Sequence, residues 1–130
     1  MIQMILAEEV TAAMRRAGVL LDNEALNVQV VSDGRSLLDS LNDAPNFYHA
    51  VVMNYDLPEI SGPECIRFIK QFHNRICVLV LSDDQSPERI SDLGGLGVRK
   101  KHILDRNADA EAFSTWVAFS LDEAGLNQTP

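Results

Sequence analysis

Short apolar segments alternate with helical segments along the whole chain, and this alternation limits the folds open to it. Each apolar run has the length of a strand, and in the stretch that follows apolar residues recur at helical spacing. We predict strands over residues 1–7, 27–31, 50–53, 76–81 and 98–104. We predict helices over 10–21, 35–41, a segment that begins at 62, 86–94 and 110–124. The order βαβαβαβαβα predicts an α/β fold with a five-stranded parallel sheet and helices on both faces, because crossovers between parallel strands are right-handed.

The length of the chain favours one domain. Its 130 residues are close to a common domain size, and no repeat, linker or low-complexity segment interrupts them. We expect one domain over residues 1–125 and a frayed tail over 126–130. No apolar run approaches the ~20 residues of a membrane span, and the first residues lack the basic leader of a signal peptide. We therefore expect a cytoplasmic protein that does not contact membranes.

Charge and cysteine usage exclude several classes of function. The chain carries 19 acidic and 11 basic residues, a net charge of −8, whereas nucleic-acid binding needs clustered Lys and Arg over a broad face. Cys65 and Cys77 lie in apolar segments without Cys-x-x-Cys spacing, and His49, His73 and His102 lack metal-ligand spacing. We expect no direct nucleic-acid partner, buried reduced thiols and no metal at the histidines.

The stretch 49–62 carries the candidate site. Its apolar run ends at the polar residues Asn54 and Asp56, which is typical of a buried strand that ends in a loop before a helix. Ligands of open α/β sheets bind at the carboxyl ends of the strands. We therefore expect a site at the end of this strand. Glu8 follows the first predicted strand and Ser82 the fourth.

With these residues the chain resembles the receiver domain of bacterial response regulators, the CheY-like domain, over nearly its full length. Pro58 and Gly62 follow Asn54 by four and eight residues, as Pro and Gly follow the phosphorylated Asp of the family, and Ser82 ends strand four, where the family has Thr or Ser. The resemblance implies a flavodoxin-like, doubly wound sheet with strand order 2-1-3-4-5. It also implies a role in two-component signal transduction.

Several reactive residues of the family are replaced. Asn54 stands at the phosphoacceptor position, where a neutral amide is a poor nucleophile. Counted from Ser82 without a gap, the family's Lys falls on Leu104 and its switch aromatic falls on Lys101. A shift in the preceding loop would instead make Lys100 or Lys101 the family Lys. With Leu104 at this position, no ammonium neutralises a phosphoryl group.

The resemblance further implies a magnesium site, which this sequence weakens. Glu8 and Glu9 would replace the acidic pair of the family, with a backbone carbonyl from Asp56, although the pair could also be Ala7 and Glu8. Each glutamate is one methylene longer than aspartate, and Asn54 removes a third carboxylate. We expect Mg²⁺ binding to be weak or absent, and no other cofactor.

A basic run before the last helix is open to two interpretations. It consists of Arg99, Lys100, Lys101 and His102. These charges either blunt an edge strand against aggregation or form a recognition patch for an acidic partner. In the family the surface of helix 4, strand 5 and helix 5 meets partners or a second copy, and here Trp116 and Phe119 would belong to it. A histidine kinase, a downstream regulator or a second copy of the chain is the expected partner.

The sequence thus favours a receiver that has lost phosphorylation and acts as an interaction or dimerisation module, without enzymatic activity. Two alternatives remain open. Either Asn54 replaces an aspartate in a phospho-accepting single-domain regulator, or Asp56 takes the phosphoryl group. A flavodoxin-like enzyme or nucleotide binder is disfavoured, because no phosphate-cradling Gly loop follows any strand.

Overall fold

Five strands and five helices alternate over residues 1–126, the part of the chain that the computed structural model describes. The strands are β1 Ile2–Ala7, β2 Leu26–Val31, β3 Ala50–Asn54, β4 Cys77–Ser82 and β5 Ile103–Asp105. The helices are α1 Val10–Leu20, α2 Gly34–Asp43, α3 Gly62–Phe72, α4 Pro87–Gly95 and α5 Ala110–Glu123, and one turn of 3₁₀ helix, Lys100–His102, precedes β5.

All five strands pair in parallel, in the order β2-β1-β3-β4-β5. This confirms the predicted doubly wound fold. The register aligns Ala7 of β1 with Met53 of β3, and Asn54 of β3 with Leu81 of β4. The carboxyl ends of the three central strands therefore meet at one edge of the sheet.

Two apolar layers hold the sheet between the helices. Leu37, Ile66 and Leu93 are fully buried on the side of α2, α3 and α4, while Phe113 and Leu121 are buried on the side of α1 and α5. Each such side chain stabilises the fold by about 1.5–3 kcal/mol through burial. β3 is buried at every position, so the polar residue at its end is held on a rigid element.

Glycines in a left-handed conformation end α4 and α5. After α4, Gly97 has φ 89°, its N–H donates to the Gly94 carbonyl, and the next N–H donates to Leu93; this is a Schellman motif. The same motif follows α5, where Gly125 has φ 78° and Leu126 donates to Leu121. Leu126 is partly buried against the core and so is not frayed as predicted; residues 127–130 of the predicted tail lie outside the described residues.

The predicted fifth strand is wrong over residues 98–102. Val98 is buried as part of the turn that ends α4, residues 100–102 form the 3₁₀ turn, and only Ile103–Asp105 pair with β4. Four consecutive long polar side chains cannot alternate between a buried and a solvated face. The basic run 99–102 therefore does not blunt a strand edge, and neither Lys100 nor Lys101 ends strand five.

Candidate functional site

Polar residues at the carboxyl ends of β1, β3 and β4 are all buried, and the first two of them, Glu8 and Asn54, are in contact. Glu8 and Ser82 are fully buried and Asn54 is 5% exposed. Gly62, at the start of α3, packs its backbone on the loop after β3: a Cβ there would lie 2.3 Å from the Tyr55 carbonyl oxygen. Glu8 and Asn54 share a hydrogen bond, whereas the Ser82 hydroxyl is bonded to Asp84 and Arg89.

Both ends of the Asn54 amide are engaged. Its Nδ2 donates to Oε1 of Glu8 at 2.9 Å, and its Oδ1 accepts the backbone N–H of Asp56 at 3.1 Å. An ionised carboxylate only accepts hydrogen bonds, whereas an amide also donates. An ionised aspartate at position 54 could not donate this hydrogen bond to Glu8.

The Glu8 carboxylate is saturated by donors from its own chain. Arg106 donates from Nε to Oε2 at 3.1 Å and from Nη2 to Oε1 at 3.2 Å, and the Glu9 backbone N–H donates to Oε1 at 2.9 Å. Nε of Arg16 lies 3.8 Å from Oε2. A buried carboxylate is tolerated only when it is paired and hydrogen-bonded, and these two arginines meet that requirement.

The two arginines differ in their electrostatics. The hydrogen bond to Glu8 is the largest cause that raises the pKa of Arg106. Burial lowers the pKa of Arg16, against the attraction of Glu8, and repulsion from Arg15 and Arg106 lowers it further. The positive charge of Arg106 is thus stabilised by Glu8, whereas burial and the neighbouring arginines destabilise the positive charge of Arg16.

Neither arginine was predicted from the sequence as a residue of the site. Helical spacing alone places Arg16 beside Arg15 on the solvent face of α1, yet Arg16 is 6% exposed and donates from Nη2 to the Arg106 carbonyl at 2.7 Å. Arg106 directly follows β5. The available signal was a basic residue directly after a strand, at the edge of the sheet that carries the site.

Glu9 and Asp56 do not join Glu8 in one cluster. Glu9 is exposed and caps α1, where its two carboxylate oxygens accept the N–H groups of Thr11 at 2.9 Å and Ala12 at 3.1 Å. These hydrogen bonds lower the pKa of Glu9. Asp56 is exposed in the loop after β3. Over residues 1–126 no group of three or more His, Cys, Asp or Glu side chains is arranged to hold a metal ion, and the weak magnesium site stays a prediction.

The Ser82 hydroxyl forms hydrogen bonds with residues that follow β4. It donates to the Asp84 carbonyl at 2.8 Å and accepts from Nη1 of Arg89 at 2.9 Å. The Arg89 guanidinium also lies 3.7 Å from the centre of the Tyr55 ring, a cation–π contact. Arg89 therefore holds Ser82 to the loop after β3.

Leu104 lies in β5 opposite Leu81, and its side chain packs against the apolar layer of α1 and α5. Lys101 forms an ion pair with Glu123 of α5, and its carbonyl accepts the Trp116 indole N–H at 3.0 Å. These contacts tie the 3₁₀ turn to the last helix, away from the Glu8 cluster.

The predicted interaction residues differ in exposure. Arg99 and Lys100 are exposed, His102 and Trp116 are half-buried, and Phe119 is 65% exposed. Burial is the largest cause that lowers the pKa of His102, followed by the charge of Lys101.

Comparison with known proteins identifies the class. The sequence pattern of the response regulator receiver domain matches residues 4–106, and the chain belongs to that family. It is a receiver domain of two-component signalling. A comparison with curated protein sequences returned no significant match. Within residues 1–126, no helix combines the length and apolar character needed to cross a bilayer.

Solved structures share the fold at low sequence identity. The chemotaxis response regulator CheY4 of Vibrio cholerae is 17% identical with a TM-score of 0.81, covering 93% of this chain and 99% of that one. The receiver domain of a Luxo repressor protein of Vibrio parahaemolyticus is 20% identical with a TM-score of 0.83, covering 95% and 92%. DrrB of Thermotoga maritima is 18% identical with a TM-score of 0.80, covering 95% and 54%.

Proposed function

We propose that this receiver acts without phosphorylation, as a protein-binding or self-associating module of a two-component system. The observation that carries the proposal is the saturation of the Glu8 carboxylate by Arg106, with Arg16 beside it and Asn54 as a further donor. The charge that a divalent cation would supply at this position is supplied by the chain itself.

Phosphoryl transfer to a receiver needs a carboxylate nucleophile and a cation that bridges it to the phosphoryl group. Asn54 provides no carboxylate. A cation at Glu8 would have to displace Arg106 from two hydrogen bonds in a buried position, and breaking a buried ion pair costs about 3–5 kcal/mol. Mg²⁺ would gain too few carboxylate ligands here to offset that cost.

The later step of the family mechanism, in which a hydroxyl moves toward the phosphoryl group, is also opposed. Ser82 is bound to the Asp84 carbonyl and to Arg89, and Arg89 is in turn stacked on Tyr55. Moving the hydroxyl would break these contacts. The loops after β3 and β4 are thus held in one arrangement, and no ligand-dependent two-state switch is assigned to them.

The proposed output surface is formed by α4, β5 and α5. Phe119 is the most exposed aromatic residue of α5 and lies near the half-buried Trp116, while Arg99 and Lys100 add positive charge on a chain of net charge −8. Exposed apolar residues rimmed by charge are typical of protein interfaces. The partner would be a histidine kinase, a downstream regulator or a second copy of the chain, and no enzymatic activity is proposed.

The test is the solution mass of the chain over a range of concentrations, with and without Mg²⁺ and beryllofluoride, which imitates a phosphoryl group. The proposal expects the same mass under both conditions. A change of mass on addition would overturn it. If the chain is a dimer, Phe119→Ser should dissociate it, whereas Met14→Ser, a matched change at an exposed apolar residue of α1, should not.

The alternative of a phospho-accepting receiver has its own test. If Asn54 replaces an aspartate, Asn54→Asp alone restores phosphotransfer from a small phosphodonor despite Leu104 and Arg106. If Asp56 accepts the phosphoryl group, the unchanged chain is labelled and Asp56→Asn abolishes the label. Our proposal expects neither the unchanged chain nor Asp56→Asn to be labelled.

A further inference from the structure

A cavity with a positively charged lining lies between α1 and the start of α5. Its volume is about 270 Å³. Arg15 and Arg16 line it from α1 and Arg106 from the loop after β5, and Asp109 is the one acidic residue of the lining. This concentration of positive charge stands out on a chain of net charge −8.

The acidic groups nearest to the cavity are already engaged. Asp109 caps α5, and its Oδ1 accepts the Ala112 N–H at 2.8 Å. A smaller cavity of about 230 Å³ shares the three arginines and includes Glu9, whose two carboxylate oxygens cap α1. Arg106 pairs with Glu8 and, from Nη1 at 3.5 Å, with Asp83. Arg15 forms no ion pair with any of residues 1–126, so its positive charge lines both cavities without an acidic partner.

Arg16 supplies a second, independent observation. Its side chain is 7% exposed, and its Nε is the one buried side-chain nitrogen or oxygen among residues 1–126 that has no hydrogen-bond partner. An unpartnered buried donor costs free energy, and Glu8, 3.8 Å from this nitrogen, is too far to satisfy it. The central carbon of the Arg16 guanidinium lies over the Phe113 ring, 5.2 Å from the ring centre.

We propose that this cavity binds a phosphate group, either free inorganic phosphate or the phosphate of a small monoester. Guanidinium groups bind phosphate through paired, charge-assisted hydrogen bonds, and three arginines line one cavity whose size suits a small oxyanion. The site is distinct from the phosphoacceptor position at Asn54, and the inference does not rest on the proposed function.

Arg106 links this site to the strand-end cluster. Arg106 lines the cavity, and its guanidinium donates to Glu8. A phosphate in the cavity therefore competes with Glu8 for Arg106, and removal of the Glu8 charge should strengthen phosphate binding. Loss of the Glu8 charge should thus raise the phosphate affinity, whereas loss of an arginine of the site should lower it.

The experiment is a calorimetric titration of the full chain with inorganic phosphate, and separately with glycerol 3-phosphate, with ionic strength held constant by chloride. We expect saturable binding at one site. Tighter binding of glycerol 3-phosphate identifies a monoester as the ligand, and binding of inorganic phosphate alone identifies free phosphate. Absence of saturable binding for both overturns the proposal.

Matched variants separate a site from charge screening. Arg15 is exposed on α1, so Arg15→Gln should leave the fold intact and weaken binding about tenfold, since one charge-assisted hydrogen bond is lost. Arg67→Gln makes the same change on α3, far from the cavity in the fold, and should leave the affinity unchanged. Equal weakening by both variants overturns the proposal.

Glu8→Gln is a second variant to be titrated with phosphate. It frees Arg106 and Arg16 from their carboxylate, and we expect phosphate to bind this variant more tightly and to raise its unfolding temperature more than that of the unchanged chain. Weaker or equal binding by folded Glu8→Gln contradicts the competition for Arg106. If that variant does not fold, the comparison of Arg15→Gln with Arg67→Gln decides the proposal alone.

Discussion

Arg106 donates two hydrogen bonds to the buried carboxylate of Glu8, at 3.1 and 3.2 Å, across 98 positions of sequence. Glu8 follows β1 and Arg106 follows β5, two strands that are not neighbours, because β3 and β4 lie between them in the sheet. The contact therefore joins a central strand to an edge strand at the carboxyl end of the sheet. It places a fixed positive charge beside Asn54.

Removal of Arg106 should destabilise the fold. In Arg106→Ala the Glu8 carboxylate stays buried with only Arg16 as a cationic neighbour, and we expect the free energy of unfolding to fall by about 3 kcal/mol. Urea unfolding followed by circular dichroism measures this. Arg99→Ala removes an exposed arginine and should change the same quantity by less than about 0.5 kcal/mol. Equal effects of the two variants would show that the Glu8 contact contributes nothing.

An aspartate at position 54 should make stability depend on magnesium. Asn54→Asp replaces the donor to Glu8 with a second carboxylate about 3 Å from the first, and like charges this close repel. We expect a lower unfolding temperature at neutral pH and a partial recovery with Mg²⁺. Asn74→Asp, at an exposed residue, should show neither effect. Thermal unfolding with and without Mg²⁺ is the measurement, and an unfolding temperature equal to that of the unchanged chain would contradict the prediction.

Gly62 should tolerate no side chain. A Cβ would lie 2.3 Å from the Tyr55 carbonyl oxygen, so Gly62→Ala must displace the loop after β3, and we expect a loss of about 2 kcal/mol or more. Gly94→Ala is the control, since nothing lies within 4 Å of a Cβ there. In α4 this change should stabilise the chain by about 0.5 kcal/mol. Chemical unfolding measures the change in the free energy of unfolding of both variants. A change of the same sign in both would contradict the prediction.

His102 should make stability fall at mildly acidic pH. Burial, with Lys101, Lys70 and Arg99, lowers the pKa of His102 below its ordinary 6.5, while Glu123 opposes them. The unfolded chain then binds the proton more strongly, so the free energy of unfolding decreases as the pH falls through 6.5 toward the folded pKa.

His102→Gln should flatten this slope between about pH 7 and pH 5, where the carboxylates with lowered pKa values are still ionised. Unfolding curves at several pH values test it. An unchanged slope in the variant would assign the pH dependence to other groups.

The fold could be predicted because each signal was local. Strand-length apolar runs, the prolines in the first turns of α3 and α4, and the glycines that end α4 each act within a few residues. The fifth strand was placed too early, because the sequence shows that the basic run is polar but not that Gly97 redirects the chain into a 3₁₀ turn.

The site could be predicted only in part. The placement of Glu8, Asn54 and Ser82 at one edge of the sheet follows from the parallel strands. The arginines that surround them do not, because Arg16 is buried against its helical periodicity and Arg106 reaches Glu8 from the far end of the chain. Such side-chain contacts depend on tertiary distances that periodicity does not encode.

Whether this receiver accepts a phosphoryl group is decided by the intact mass of the unchanged chain after incubation with acetyl phosphate and Mg²⁺. We expect no added phosphoryl group, because Asn54 cannot form an acyl phosphate and Arg106 occupies the Glu8 carboxylate. Addition of one phosphoryl group, labile to hydroxylamine as an acyl phosphate is, would contradict this expectation.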